Sequence, residues 1–308
     1  MLSKEWRRKV RKGLTMAGDA GDAGDAGDAG DAGDAGDAGD VGYTGASLGT
    51  VRYPNRIDLP FITEPGVAAV ATARTKFGAN NWAANWYAWR ILGDFGTTDW
   101  QTRIAVAPPL PPTDPATNEE IEALKTMALD ERSDALGEIL GQDKEFMRYF
   151  VAAIGATMGT HPATMLVLQA ANLVATMAVM YVKSTFNRVR PSQLIPSLLP
   201  PLPVPGHASY PSGHSTQAHL FALCAAKILQ VGKGDGMYLI LMTLADRIAR
   251  NREIAGLHYP SDTAAGVNLA FQIFAILNDE SVMPHDPNDP LDRSTFAAAM
   301  AAAQAEWA

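Results

Sequence analysis

Pro205-Gly206-His207-Ala208-Ser209-Tyr210-Pro211-Ser212-Gly213-His214-Ser215-Thr216-Gln217 is the stretch on which the reading of this chain turns. A proline-rich approach ends in a Ser-Gly-His corner, and an apolar helical run from Ala218 to Leu229 follows at once. The corner puts the backbone N–H groups of Gly213 and His214 at a helix N-terminus, where an oxyanion is favoured. Gly213 admits a ligand close to the backbone, Ser212 adds a hydroxyl, and His214 can shuttle a proton. Alone, a Ser-Gly pair before a helix is as readily a cap.

The flanking segments add charge. Upstream, Lys183 and Arg190 lie seven residues apart in a run that reads as helical up to Pro191. Seven residues make about two turns, so the two cations are expected on one helix face. Downstream, Asn251-Arg252-Glu253-Ile254-Ala255-Gly256-Leu257-His258-Tyr259-Pro260-Ser261-Asp262 supplies a third cation, a second histidine and a carboxylate four residues on. Three cations, a helix N-terminus and two histidines make a site for a tetrahedral oxyanion such as phosphate or vanadate.

Taken in order, Lys183-x6-Arg190-Pro191, Pro211-Ser212-Gly213-His214 and Arg252-x5-His258-x3-Asp262 resemble a known three-part signature. It is that of the type 2 phosphatidic acid phosphatase and vanadium-dependent haloperoxidase superfamily. The resemblance covers Lys183 to Asp262. The third part usually opens Ser-Arg, and here it opens Asn251-Arg252, which keeps a hydrogen-bonding group.

The resemblance implies an all-α helical bundle of the acid phosphatase/vanadium haloperoxidase type, with the site at helix ends around one cavity. Lys183, Arg190 and Arg252 would neutralise the equatorial oxygens of the anion, helped by Ser212 and the Gly213 amide. Asp262 would fix the tautomer of His258, whose other ring nitrogen would face the oxyanion centre. In a phosphatase that nitrogen forms a phosphohistidine and His214 protonates the leaving alkoxide. In a haloperoxidase it ligates vanadium as the metal ligand of a vanadate cofactor, and His214 assists peroxide binding. His207 and Asn251 are candidates for supporting this inner set. His161, His219 and His285 lack such company and read as ordinary polar or capping residues.

One branch is favoured by local likeness. His207-x-Ser-Tyr-Pro-Ser-Gly-His214 and Ala255-Gly256-Leu257-His258-Tyr259 resemble the algal bromoperoxidases. The expectation is therefore a vanadate-dependent haloperoxidase that oxidises halide, bromide rather than chloride, with hydrogen peroxide. The alternative is a soluble phosphatase that hydrolyses phosphomonoesters at the same site with no cofactor. A third class is a binding or assembly protein that keeps the pocket without turnover. Small-molecule substrates are expected, namely hydrogen peroxide and halide or a phosphate ester. Nucleic acid and membrane are not expected, and a homo-oligomer is allowed.

Composition bounds the rest. A chain of 308 residues, 47 % hydrophobic, can bury a substantial core. Its net charge of −8 is matched by the eight aspartates from Asp19 to Asp40, so the remainder is close to neutral. Lysine and arginine are scattered beyond the first dozen residues, so nothing suggests a nucleic-acid face. The single cysteine, Cys224, excludes an intramolecular disulfide and reads as core.

Three segments are expected: 1–42, 43–115 and 116–308. The first joins a basic run, Lys4 to Lys12, to seven Gly-Asp-Ala triplets, Gly18 to Ala38, with too little apolar surface to fold. Arg7-Arg8 resembles a twin-arginine export signal only weakly, since no apolar core follows, and a cytoplasmic location is expected. Order should begin near Val51. The second segment is irregular and aromatic-rich, with Trp82, Trp86, Tyr87, Trp89 and Trp100, and ends in the proline-rich 108–115. The third is the helical oxyanion-binding domain. Thr117-Asn118-Glu119-Glu120 reads as a capping box opening a helix with Ile121, Leu124, Ala128, Ala135, Ile139 and Leu140 on its apolar face. Asp143 is read as the cap of a helix running through Ala156. Thr164 to Val182 approaches spanning length but holds Gln169 and Asn172, and is read as a central buried helix. Met237 to Ala249, Ala264 to Leu277 and an alanine-rich tail, Ser294 to Trp307, complete the bundle.

Overall fold

The computed structural model of the protein describes residues 83–285, 287–288 and 291–308. The basic run, the Gly-Asp-Ala tract, the onset of order near Val51 and Trp82 lie outside the described residues. Among the described residues the regular structure is helical, with no strand, so the all-α expectation holds. The helices are α1 (Ala84–Gly96), α2 (Trp100–Arg103), α3 (Pro115–Asp130), α4 (Arg132–Gly141), α5 (Met147–Ile154) and α6 (Pro162–Phe186). After them come α7 (Pro191–Leu194), a short 3-10 turn (Pro196–Leu198), α8 (Gly213–Ile228), α9 (Gly236–Ile254), α10 (Pro260–Leu277) and α11 (Thr295–Ala305).

The bundle is built round α8. Every residue of α8 except Lys227 is buried, because α6, α9 and α10 pack on it from different sides. A helix covered all round needs apolar residues on every face, which is why its sequence lacks a clean stripe. The α8–α10 crossing is close at Gly266: a Cβ there would lie 2.7 Å from the Ser212 carbonyl oxygen and 2.8 Å from Ser215 Cβ. Glycine is therefore required for the two helix starts to approach.

Asn172 and Thr176 of α6 find a partner in α8. Gln217 of α8 donates through Nε2 to Asn172 Oδ1 at 2.7 Å and to Thr176 Oγ1 at 3.1 Å. Buried amides paired in this way cost little. At its start, the Ala163 and Thr164 amides donate to the Glu306 carboxylate at 2.7 and 2.9 Å, an anion on a helix N-terminus. His161 stacks on Trp307, and the tail helix docks as expected, capped by Ser294. By length and composition the segment Pro162–Leu194 is long and apolar enough to cross a membrane, and 61 % of its most apolar window is buried in the bundle.

Several local expectations differ from the structure. The helix bearing Lys183 stops at Phe186, where Asn187 adopts a left-handed φ of 49° and its side chain donates to Ser184 O. Pro191 disfavours helical backbone at Arg190, which is extended, so Lys183 and Arg190 do not share a helix face. The capping box at Thr117 is replaced by Asp114, which caps α3 with Pro115 at its first position. Glu131 separates α3 from α4, leaving Leu140 half-exposed while Ile121, Leu124 and Ile139 are buried. Asp143 caps no helix, since α5 begins at Met147. Residues 84–96, read as irregular, are helical; Trp86 and Trp89 face outward and Trp100 is buried. Cys224 is fully buried, and burial pushes its thiol up to about 12.

Candidate active site

The third motif begins as α9 ends. Gly256 takes a left-handed φ of 77°, which turns the chain and returns His258 to the interior. Tyr259 then caps α10 with Pro260 at its first position, so Asp262 falls in the first turn. The Asp262 Oδ2 atom accepts from the Tyr259 amide at 3.1 Å and from the Ser209 hydroxyl, and lies 3.1 Å from His258 Nδ1. A carboxylate only accepts, so the proton sits on Nδ1 and Nε2 carries the lone pair. His258 Nε2 lies 3.4 Å from Arg190 Nη1.

The two upstream cations brace the approach to this histidine. Arg190 donates through Nε to His207 O and through Nη1 to Leu257 O, both at 3.0 Å, with Nη2 3.2 Å from His207 Nδ1. Lys183 donates through Nζ to Ala208 O at 2.6 Å and Ser209 O at 3.0 Å. Lys183, Arg190, His258 and Asp262 are all essentially buried.

The second half lies across the start of α8. Ser212 caps α8 by accepting from the Ser215 amide, while its own amide donates to Asp262 O at 3.0 Å. This bond ties the first turns of α8 and α10 and brings the Gly213 amide to the same corner. His214 Nε2 is 3.0 Å from both Gln142 O and Asp143 O, and its ring stacks on Phe146 at 4.4 Å. Carbonyls only accept, so Nε2 bears a proton. Arg252 donates through Nη2 to Ile139 O at 2.7 Å and pairs with Asp143 Oδ1 at 3.4 Å. Asn251 donates to Glu138 Oε2 at 3.1 Å and Gln142 Oε1 at 2.7 Å, which fixes the residue whose carbonyl meets His214.

The predicted residues thus fall into two linked groups. Lys183, Arg190, His207, His258 and Asp262 meet in one, His214, Arg252 and Asn251 in the other, with Ser212 and Gly213 at the join. Sequence reasoning missed Arg188, Ser209, Glu120, Gln142 and Asp143. Arg188 and Ser209 lie within the spacing of the motifs and could have been suspected as polar residues there. Glu120, Gln142 and Asp143 come from α3 and the α4–α5 corner, where no motif marks them. His219 bonds Ser215 O at 2.7 Å and Asp246 at 3.0 Å, and His285 bonds Asp292 O, as residues with structural tasks.

Residues 163–279 match the family described as the PAP2 superfamily. They hold every motif above. The chain is similar to the decaprenylphosphoryl-5-phosphoribose phosphatase of Mycobacterium tuberculosis, in strains CDC 1551 / Oshkosh and ATCC 25618 / H37Rv. Identity is 32 % over 113 residues, 37 % of this chain. The chain spans 59 % of the length of those relatives. Among solved structures it is similar to the transmembrane PAP2-type phosphatidylglycerolphosphate phosphatase of Bacillus subtilis. There the TM-score is 0.30 and identity 18 %, over 63 % of this chain and 92 % of that one. The curated relatives are named as phosphatases, which favours the phosphatase alternative over the haloperoxidase expectation. The expectation of small-molecule substrates and no membrane is corrected: the curated relatives are named for a decaprenyl-linked substrate, and Pro162–Leu194 has the length and apolarity of a span.

Proposed function

We propose that this protein is a phosphatase that removes phosphate from a lipid-linked phosphomonoester through a phosphohistidine at His258. The observation that carries it is the pairing of His258 Nδ1 with Asp262 at 3.1 Å, which leaves Nε2 beside Arg190 as a nucleophile. The relatives' names support the reaction class and the apolar character of the substrate.

The steps assign each group one task. His258 Nε2 attacks phosphorus as the P–O bond to the lipid alcohol breaks. The leaving oxygen takes a proton from His214, entering as the imidazolium. The Gln142 and Asp143 carbonyls hold its Nε2–H, so the transferable proton is on Nδ1. Water then attacks the phosphohistidine, His214 accepts its proton, and orthophosphate leaves. Lys183, Arg190, Arg252, Ser212 and the Gly213 amide would stabilise the equatorial oxygens through both steps.

The haloperoxidase reading keeps one observation in its favour, the contact of His207 with Arg190 at 3.2 Å. The donor set fits vanadate as well as phosphate, because the two oxyanions share shape and charge. Lys183, Arg190 and Arg252 would hold its oxygens and His258 Nε2 the vanadium, supplying a Lewis acid for peroxide. One experiment divides the readings: orthophosphate release from phosphatidic acid in detergent micelles, beside vanadate-dependent bromination of a dye by hydrogen peroxide. Phosphate release with an acid-labile, alkali-stable phosphoenzyme is expected. Bromination without phosphate release would reverse the choice.

A further inference from the structure

We infer that Arg188, anchored by Glu120 of α3, is a positioning residue that aims Asp262 at His258. The inference deepens the phosphatase reading and rests on it for its kinetic arm. Arg188 lies between the two signature cations in sequence. Its Nη1 donates to Asp262 Oδ1 at 2.6 Å and to Ser261 Oγ at 2.7 Å, and its Nη2 donates to Glu120 Oε2 at 3.0 Å. The guanidinium lies 3.7 Å over the Tyr259 ring. Its side chain is 4 % exposed, against 14 % for Glu120 and none for Asp262.

Buried charges are retained when each is paired and bonded, and here the pairing has a direction. Asp262 has two oxygens with separate duties. Oδ2 takes His258, Ser209 and the Tyr259 amide; Oδ1 takes Arg188. A carboxylate gripped at Oδ1 cannot rotate about its terminal torsion to exchange oxygens, so Oδ2 stays aimed at Nδ1. Glu120 holds the other end. Its Oε1 accepts from the Ser261 amide at 2.6 Å and its Oε2 from the Ser261 hydroxyl at 3.0 Å. Thus α3 supplies the anion that caps the first turn of α10, and that turn carries Asp262. Lysine in place of Arg188 would keep the charge without the planar fork that reaches both carboxylates.

The test uses the full-length chain with imidazole-labelled histidine. In wild type, nitrogen NMR should show His258 as the Nδ1–H tautomer. In Arg188→Met the His258 signals should shift to a mixture of tautomers, and kcat for phosphatidic acid should fall roughly 10- to 100-fold with KM changed less than about threefold. Arg188→Lys should recover part of the loss. Should Arg188→Met fail to fold, Glu120→Gln carries the test, with the same tautomer mixing and a smaller fall in kcat. A folded Arg188→Met that keeps the Nδ1–H tautomer and wild-type kcat overturns the inference, as does an unchanged Glu120→Gln when Arg188→Met is unfolded. A wild type inactive on the ester rejects the phosphatase reading alone, and the tautomer measurement then decides for or against Arg188.

Discussion

His258 takes its orientation from a carboxylate four residues away, whereas His214 takes its orientation from two main-chain carbonyls more than seventy residues away in the chain. The difference matches the two tasks. A carboxylate on Nδ1 keeps the proton there and presents a lone pair at Nε2, which suits a nucleophile. Neutral carbonyls accept from Nε2–H and tolerate a cationic ring, which suits a proton donor. One half is closed by residues of its own motif and braced by Arg188 and Glu120. The other is completed by the α4–α5 corner, which lies outside the matched residues 163–279.

The largest expected effect falls on the first half. His258→Ala should abolish the phosphoenzyme and lower kcat by roughly 10⁴-fold or more, since the covalent route is lost. Rapid-quench trapping of labelled phosphate checks this. His214→Ala should behave differently: kcat for an alkyl phosphate falls roughly 10²- to 10⁴-fold, but the phosphoenzyme still forms from p-nitrophenyl phosphate, whose leaving group needs no proton. Loss of the phosphoenzyme from p-nitrophenyl phosphate in His214→Ala would interchange the two roles.

A third expectation concerns the join. Gly266→Ala places a Cβ against the Ser212 carbonyl and Ser215, both at the start of α8. Backbone cannot give way as a side-chain tip can, so α10 must shift from α8. Overpacking of this kind costs about 1–3 kcal/mol, or roughly 3–10 °C in Tm for a domain of this size. Because the Ser212–Asp262 bond crosses the same join, kcat should fall alongside Tm. A variant with lower Tm and unchanged kcat would show that the halves tolerate displacement.

The motifs made one half more legible than the other, and for a physical reason. His258 and Asp262 are four residues apart, on either side of the cap that opens α10, so local geometry brings them together. Lys183 and Arg190 are seven apart, and helix geometry misled, because Asn187 breaks the helix and both cations reach the site from different backbone. The helical class followed from apolar runs that needed no long-range knowledge. Glu120 and Asp143 could not be found that way. Each read as a local helix signal, a capping-box member and a cap, and each instead serves an arginine 68 or 109 residues on. Asp114, Pro115 and the α3–α4 break at Glu131 then set the frame that delivers them.

The smallest effect expected is on the pH dependence of stability, at Glu253, the residue between Arg252 and the turn toward His258. Its carboxyl is raised above the usual 4.5, by burial first, against the opposing Thr263 hydrogen bond and Arg250 charge, with the Glu120 and Asp262 charges adding. The folded state therefore holds this proton more tightly than the unfolded chain does. The stabilisation is fully present below about pH 4.5 and is lost as pH rises through the raised folded value. Glu253→Gln keeps the shape and removes the titration. Its Tm should decline less than that of wild type between pH 4.5 and 7, and at pH 7 it should be the more stable by a few degrees at most, about 1 kcal/mol or less. Thermal melts of both proteins across that range give the answer. Parallel curves would mean that the Glu253 charge is compensated equally in both states, and that its place between the two halves carries no electrostatic cost.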